Sequence, residues 1–141
     1  MKYSVYGGTG FIGGKFSSYF ANKVIVQKRD ERVPKTKNIV YFISTVDNYN
    51  VFDNICLDVD TNLRVLCEVL EKCKAEGTIF NFISSWFVYG DVPLPAKEDC
   101  YCKPTGFYSI TKKAAEDLII SFAKTFGINY RILRLLSLIH I

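Results

Sequence analysis

Apolar positions along the chain fall into short β-rich runs that alternate with segments of helical spacing. Lys2–Tyr6 is a strand-like run that breaks into glycines, and Phe11–Phe20 can follow as a helix, giving strand, tight turn, helix. Lys23–Val26 predicts a second strand. Asn38–Ser44 predicts a third, with the nearly continuous apolar character of a strand covered on both faces. In Thr61–Ala75, Leu63, Leu66, Leu70 and Cys73 recur on one helix face, with Asp60 or Thr61 as N-cap. Thr78–Ile83 predicts a fourth strand, Tyr108–Phe126 a long helix ended by Gly127, and Asn129–Leu135 a fifth strand. This alternation predicts an α/β fold built on a doubly wound, mostly parallel, Rossmann-like sheet. The charged stretch Arg29–Lys37, which contains Pro34, has no room for a helix plus a strand, so the sheet is expected to be abbreviated at one edge. Phe11, Phe16, Phe20, Tyr41, Phe80 and Phe82 are expected in the core.

Composition narrows the picture. A chain of 141 residues with 49% hydrophobic residues fits one domain with a sizeable core, and no internal repeat or low-complexity segment divides it. No apolar run is long enough to span a bilayer, and the opening run meets glycines too early for a secretory leader, so a soluble protein with no membrane partner is expected. The five cysteines have no paired C-x-x-C spacing and His140 is the only histidine, which leaves a zinc site without ligands and favours reduced thiols in the cytoplasm. The net charge of +4 is spread along the chain, so no nucleic-acid partner is expected. Leu136–Ile141 matches one reading frame of a transposase adapter end and is expected to be a non-native tail. The expected native unit is 1–135, with the region that closes over a substrate absent.

Gly7-Gly8-Thr9-Gly10-Phe11-Ile12-Gly13 satisfies G-x-G-x-x-G at 8, 10 and 13 and G-x-x-G-x-x-G at 7, 10 and 13. Following a strand and opening a helix, it predicts a dinucleotide site in which the backbone approaches a pyrophosphate at the helix N-terminus. Cofactor choice should be set after the second strand, at Gln27-Lys28-Arg29-Asp30. Lys28 and Arg29 suit the 2′-phosphate of NADP, whereas Asp30 would suit the ribose of NAD; NADP is the preferred expectation. Tyr108 and Lys112 lie four apart at the start of a helix, on one face. Tyr19 and Lys23 repeat that spacing far from any strand's C-terminal edge. Ser84 and Ser85 end a strand on the same sheet edge as the glycine turn, where ligands of open α/β sheets bind.

Taken together, GGTGFIG, SSWFVYG and YSITK followed by Ala114-Ala115-Glu116 resemble the extended short-chain dehydrogenase/reductase, or NAD-dependent epimerase/dehydratase, family across 1–135. Asn62-Leu63-Arg64-Val65 resembles the family's Asn-Val-x-Gly, with Val65 where glycine is usual. The resemblance implies Ser85 as substrate-hydroxyl partner, Tyr108 as acid/base, Lys112 as the ribose-binding lysine and Asn62 as the structural asparagine of the cofactor site. Tyr108 must give up its proton near neutral pH although tyrosine ordinarily titrates near ~10, a deficit of about 4 kcal/mol. An ammonium about 4 Å away supplies about 4 kcal/mol at an effective dielectric of ~20.

Departures from the family pattern narrow the reaction. Trp86 and Phe87 stand where family dehydratases carry Asp-Glu, which disfavours a 4,6-dehydratase and leaves an epimerase, reductase or dehydrogenase. Ser44-Thr45-Val46-Asp47 replaces small apolar residues, and a capping turn accounts for Thr45 and Asp47. The resemblance implies a nucleotide-sugar substrate, NAD(P), and a homodimer through the Thr61 and Tyr108 helices. The competing reading is a protein of the same fold that binds or senses NAD(P) without catalysis.

Overall fold

A computed structural model describes residues 1–136. The expected tail therefore lies, apart from Leu136, outside the described residues. Five strands, β1 (Tyr3–Tyr6), β2 (Val24–Val26), β3 (Asn38–Tyr41), β4 (Ile79–Ser85) and β5 (Asn129–Leu135), form one sheet in the order β2-β1-β3-β4-β5. Every pairing is parallel. The helices are α1 (Phe11–Tyr19), α2 (Leu57–Val59), α3 (Val65–Glu71) and α4 (Phe107–Phe126).

Strand alternation assigns the two faces of the sheet. Tyr6, Ile39, Tyr41, Phe80 and Phe82 point one way and pack with Leu66, Val69 and Leu70 of α3 and Ala115, Ile119 and Ala123 of α4. Side chains of this size each stabilise the fold by about 1.5–3 kcal/mol when fully buried. Phe42, one residue past Tyr41 and so on the opposite face, meets Phe16 of α1 with ring centroids 5.4 Å apart. The sheet is thus doubly wound. It is also short at one edge, because the segment between β2 and β3 forms no strand or helix and folds back onto β1. There Ser4 N–H donates to Thr36 Oγ1 (3.0 Å), Tyr6 OH donates to the Arg32 carbonyl (2.7 Å), and Arg32 pairs with Glu68 at 2.6 Å.

Four local expectations are corrected. The central helix starts at Leu57 and passes through a π turn, Asp60–Arg64, before α3. Its entry is anchored by buried Asp58, which accepts hydrogen bonds from Thr45 Oγ1 and Asn50 Nδ2, a tie that helical periodicity does not reveal. α3 stops at Glu71 and not at Ala75, with the buried Cys73 thiol turned back to the Val69 carbonyl at 3.0 Å. β4 runs on through Ser84 and Ser85, because it pairs with β5 to its last residue. Phe11 is 90% exposed and Phe20 is exposed too, since α1 lays only part of its surface on the sheet.

Candidate active site

The site begins with the turn that joins β1 to α1. Gly7 has φ +73°, and a Cβ there would meet the Ile43 backbone nitrogen at 2.9 Å. Gly13, inside α1, lies so close to the turn that a Cβ would fall 2.2 Å from the Gly7 carbonyl oxygen. That carbonyl also accepts from Gly10 N–H at 3.1 Å. No side chain caps α1 at Gly10, and its first turn contains no acidic residue. Its leading N–H groups and positive dipole end are therefore suited to a phosphate. Thr9, Gly10 and Phe11 are exposed, Gly7 and Ile12 are half-buried, and Gly8 and Gly13 are buried, so the residues present fit a dinucleotide.

Past β2, Gln27 N–H donates to the Val5 carbonyl (2.9 Å) and the chain turns. Glu31 accepts from Lys28 N–H at 3.0 Å, and this bond, with Lys35 beside it, holds the Glu31 carboxyl below the usual glutamate range. Lys28, Arg29 and Asp30 are exposed on that turn.

At the end of β4, Ser85 Oγ accepts from Phe87 N–H at 3.3 Å. Tyr108, the second residue of α4, sets its ring edge-on to Phe87, with centroids 5.9 Å apart at 87°. One turn later, Lys112 Nζ donates to the Ile83 carbonyl at 2.7 Å and sits 4.2 Å from the centre of the Phe82 ring. Each of the three is thus tied to the C-terminal end of β4 or to the residues just past it, with Ser85 9%, Tyr108 8% and Lys112 2% exposed. β3 alone separates β4 from β1, so the glycine turn leaves the same sheet edge two strand spacings away, roughly 10 Å.

Burial pushes the Lys112 ammonium down to about 7, opposed by the negative charge of Glu116. Its value in the fold lies below the ordinary 10.5, so between about 7 and 10.5 the unfolded chain binds the extra proton. Stability therefore rises with pH across that window. Lys112→Met is expected to flatten the rise and to stabilise the fold at pH 6 by about 2 kcal/mol, once the lost Ile83 bond and Phe82 contact are offset. Urea denaturation at pH 6 and pH 9 checks this; parallel pH dependence in both proteins would contradict it.

Asn62 is fully engaged within the fold. Its Oδ1 accepts from Thr45 N–H (2.9 Å) and Ser44 Oγ (3.1 Å), and its Nδ2 donates to Thr45 Oγ1 and Thr111 Oγ1, both at 2.9 Å. An asparagine amide offers two donors and two acceptor positions, and all four are spent within the protein. It acts as a structural asparagine, tying the segment after β3 to α4, where Thr111 Oγ1 lies 3.0 Å from the Tyr108 carbonyl. Asp47 is a turn residue, accepting from Tyr49 N–H at 2.8 Å.

The sequence reading missed a buried cluster beside Lys112. Glu116 accepts from Ser84 Oγ at 2.6 Å and pairs with Arg134 at 2.8 Å. A signal was present, because Glu116 lies one turn past Lys112 on the buried face of α4, where a carboxylate requires a partner.

No curated protein matches the chain in sequence. Solved structures do match in fold. RMD from Pseudomonas aeruginosa, complexed with NADPH, superposes with a TM-score of 0.84 at 23% identity, over 97% of this chain and 55% of that one. UDP-glucose 4-epimerase from Thermotoga maritima, with UDP-glucose, gives 0.82 at 23% identity, over 95% and 55%. UDP-glucuronic acid 4-epimerase from Bacillus cereus, with UDP-glucuronic acid and NAD, gives 0.77 at 22%, over 95% and 56%. The chain thus spans a little over half the length of these structures. The sequence pattern of the NAD dependent epimerase/dehydratase family matches residues 39–139, more than half of the chain, and the chain belongs to that family.

Proposed function

We propose that the protein carrying this chain is an NAD(P)-dependent epimerase or reductase/dehydrogenase acting on a nucleotide-activated sugar, with residues 1–135 as its cofactor-binding unit. The observation that supports this reading is that Lys112 bonds the Ile83 carbonyl near the end of β4, while Tyr108 packs on Phe87, whose N–H donates to Ser85 at that strand's last position. UDP-sugars and NAD or NADPH in the structural neighbours support the substrate and cofactor classes. A purely binding or sensing protein needs no acid/base, so the tyrosine paired with a lysine one turn on argues against that reading.

In this reading the Gly7–Gly13 turn and the N-terminus of α1 hold the pyrophosphate, and Lys112 holds the nicotinamide ribose. NAD(P) bound there would supply the hydride acceptor and donor for the sugar carbon. Tyr108 takes the proton of the sugar hydroxyl, Ser85 orients that hydroxyl, and the Lys112 charge stabilises the phenolate. Trp86 and Phe87, stacked with centroids 4.6 Å apart, offer no acid and base for eliminating water, which disfavours a dehydratase. Among the described residues no helix is long and apolar enough to cross a membrane. Cytoplasmic location and pairing of two copies through the α3 and α4 helices complete the proposal. Exposed Ile110 and Leu118 on α4 support the pairing.

The test is titration of the full-length protein with NAD⁺ and NADP⁺, followed by turnover assays with nucleotide sugars; failure to bind either cofactor would end this reading. Lys28→Ala together with Arg29→Ala is expected to weaken NADP⁺ binding about tenfold, the effect of roughly 1.4 kcal/mol of lost phosphate pairing, and to leave NAD⁺ binding within about twofold. Equal losses for both cofactors would remove these side chains from 2′-phosphate recognition.

A further inference from the structure

One turn beyond Lys112, α4 buries a second ionisable group that the proposed chemistry does not use. Glu116 is 1% exposed. Its Oε1 accepts from Ser84 Oγ (2.6 Å) and Arg134 Nε (3.1 Å), and its Oε2 accepts from Arg134 Nη2 (2.8 Å). Arg134 is itself held, lying 4.7 Å from the centre of the Tyr89 ring and donating Nη1 to the Glu98 carbonyl at 3.2 Å. A bidentate guanidinium and a hydroxyl therefore fix this carboxylate in one place, joining α4, β4 and β5.

The three consecutive residues at the end of β4 divide the work. Ile83 supplies the carbonyl that receives Lys112 Nζ, Ser84 supplies the hydroxyl that binds Glu116, and Ser85 is the proposed partner of the sugar hydroxyl. Any movement of Glu116 against β4 is thus passed to both neighbours of Ser84. Lys112 and Glu116 are four residues apart on one helix face, with Cβ atoms about 5–6 Å apart, yet the carboxylate bonds Arg134 and not the ammonium. We propose that Glu116 is a positioning residue for Lys112: clamped by Arg134 and Ser84, it sets the end of β4 against α4 and supplies the negative charge opposite the ammonium. This rests on Lys112 being the cofactor-side cation.

The groups facing Lys112 from the packed elements are few. Its own helix contributes Glu116, and β4 contributes the Ile83 carbonyl and the Phe82 ring, while Ser84 of β4 and Arg134 of β5 bond Glu116. Glu116 is the charge that acts on Lys112 against its burial, so removing it leaves desolvation unopposed in expelling the Lys112 proton.

The experiment follows the Lys112 Cε resonance in ¹³C-lysine-labelled protein, assigned by its loss in Lys112→Arg, through a pH titration. Glu116→Gln is expected to lower the midpoint by about 1 pH unit, and Glu116→Asp to keep it near the parent value. Arg134→Met is expected to raise the midpoint, because a carboxylate freed of its guanidinium acts more fully on Lys112. Opposite movements in these two variants are beyond a merely structural role. Folded variants whose midpoints stay put, or move together, would overturn the proposal. Should Glu116→Gln fail to fold, Arg134→Met against Glu116→Asp decides by the same sign. NADH affinity is measured in parallel: unchanged affinity in Lys112→Arg and Lys112→Met would end the cofactor role of Lys112 while leaving its coupling to Glu116 standing.

Discussion

Nucleotide-sugar turnover by the full-length protein is expected to fall about 10³-fold on Tyr108→Phe, with cofactor affinity within about twofold of the parent. The substitution removes a single oxygen. The ring that meets Phe87 edge-on stays in place, so the fold and the start of α4 are retained. What disappears is the group proposed to take and return the proton of the sugar hydroxyl. Positioned acid/base catalysis contributes about 10²–10⁴ in rate, and without it the hydroxyl proton has no acceptor while hydride leaves the carbon. Lys112 alone does not replace the phenol, because its Nζ is already engaged with the Ile83 carbonyl. Steady-state rates across a set of UDP-sugars, with circular dichroism as a control on folding, provide the check. Equal turnover by the two proteins would remove Tyr108 from the chemistry.

Gly13→Ala is expected to be as damaging by a different route. The added methyl would lie 2.2 Å from the Gly7 carbonyl oxygen and 2.9 Å from its carbon, and both are backbone atoms that no rotamer change can move away. The turn must open or α1 must lift from β1. Overpacking of this kind costs about 3 kcal/mol, a large share of the 5–15 kcal/mol that holds an ordinary domain folded. The same displacement pulls the α1 N-terminus away from where a pyrophosphate would sit, so NADH affinity should drop about 100-fold or more. Urea denaturation and NADH fluorescence titration measure the two losses separately. Gly14→Ala is the control, since a Cβ there meets nothing closer than 3.7 Å; a Gly13→Ala protein that matches it in both assays would show that the close approach is unimportant.

Much of this was legible in the chain itself because the relevant signals are local. The glycine turn needs only the spacing of Gly7, Gly10 and Gly13, and β5 begins and ends as its apolar run does. Tyr108 and Lys112 share a helix face by arithmetic. The charged stretch after Arg29 correctly announced a sheet lacking an outer strand. What escaped the reading depends on partners distant in sequence. Periodicity marks Asp58 as a polar residue near a helix start, but its burial is decided by Thr45, and the helix consequently starts at Leu57. The place of Glu116 one turn past Lys112 hints that it needs a partner, but that partner, Arg134, arrives from β5, 18 residues on. Phe11 looks like core until the open N-terminus of α1 leaves it in solvent.

The four bonds at Asn62 carry one more consequence, for the order in which this site comes into being. They join Thr45, 17 residues upstream, to Thr111, 49 residues downstream, so the knot closes only after a long loop has been ordered. The entropy of that closure is met when α4 docks on the sheet, the event that also completes the aromatic core. The start of α4, and with it the backbone of Tyr108, is therefore held by ties that reach across most of the chain, whereas the glycine turn is held by bonds between near neighbours.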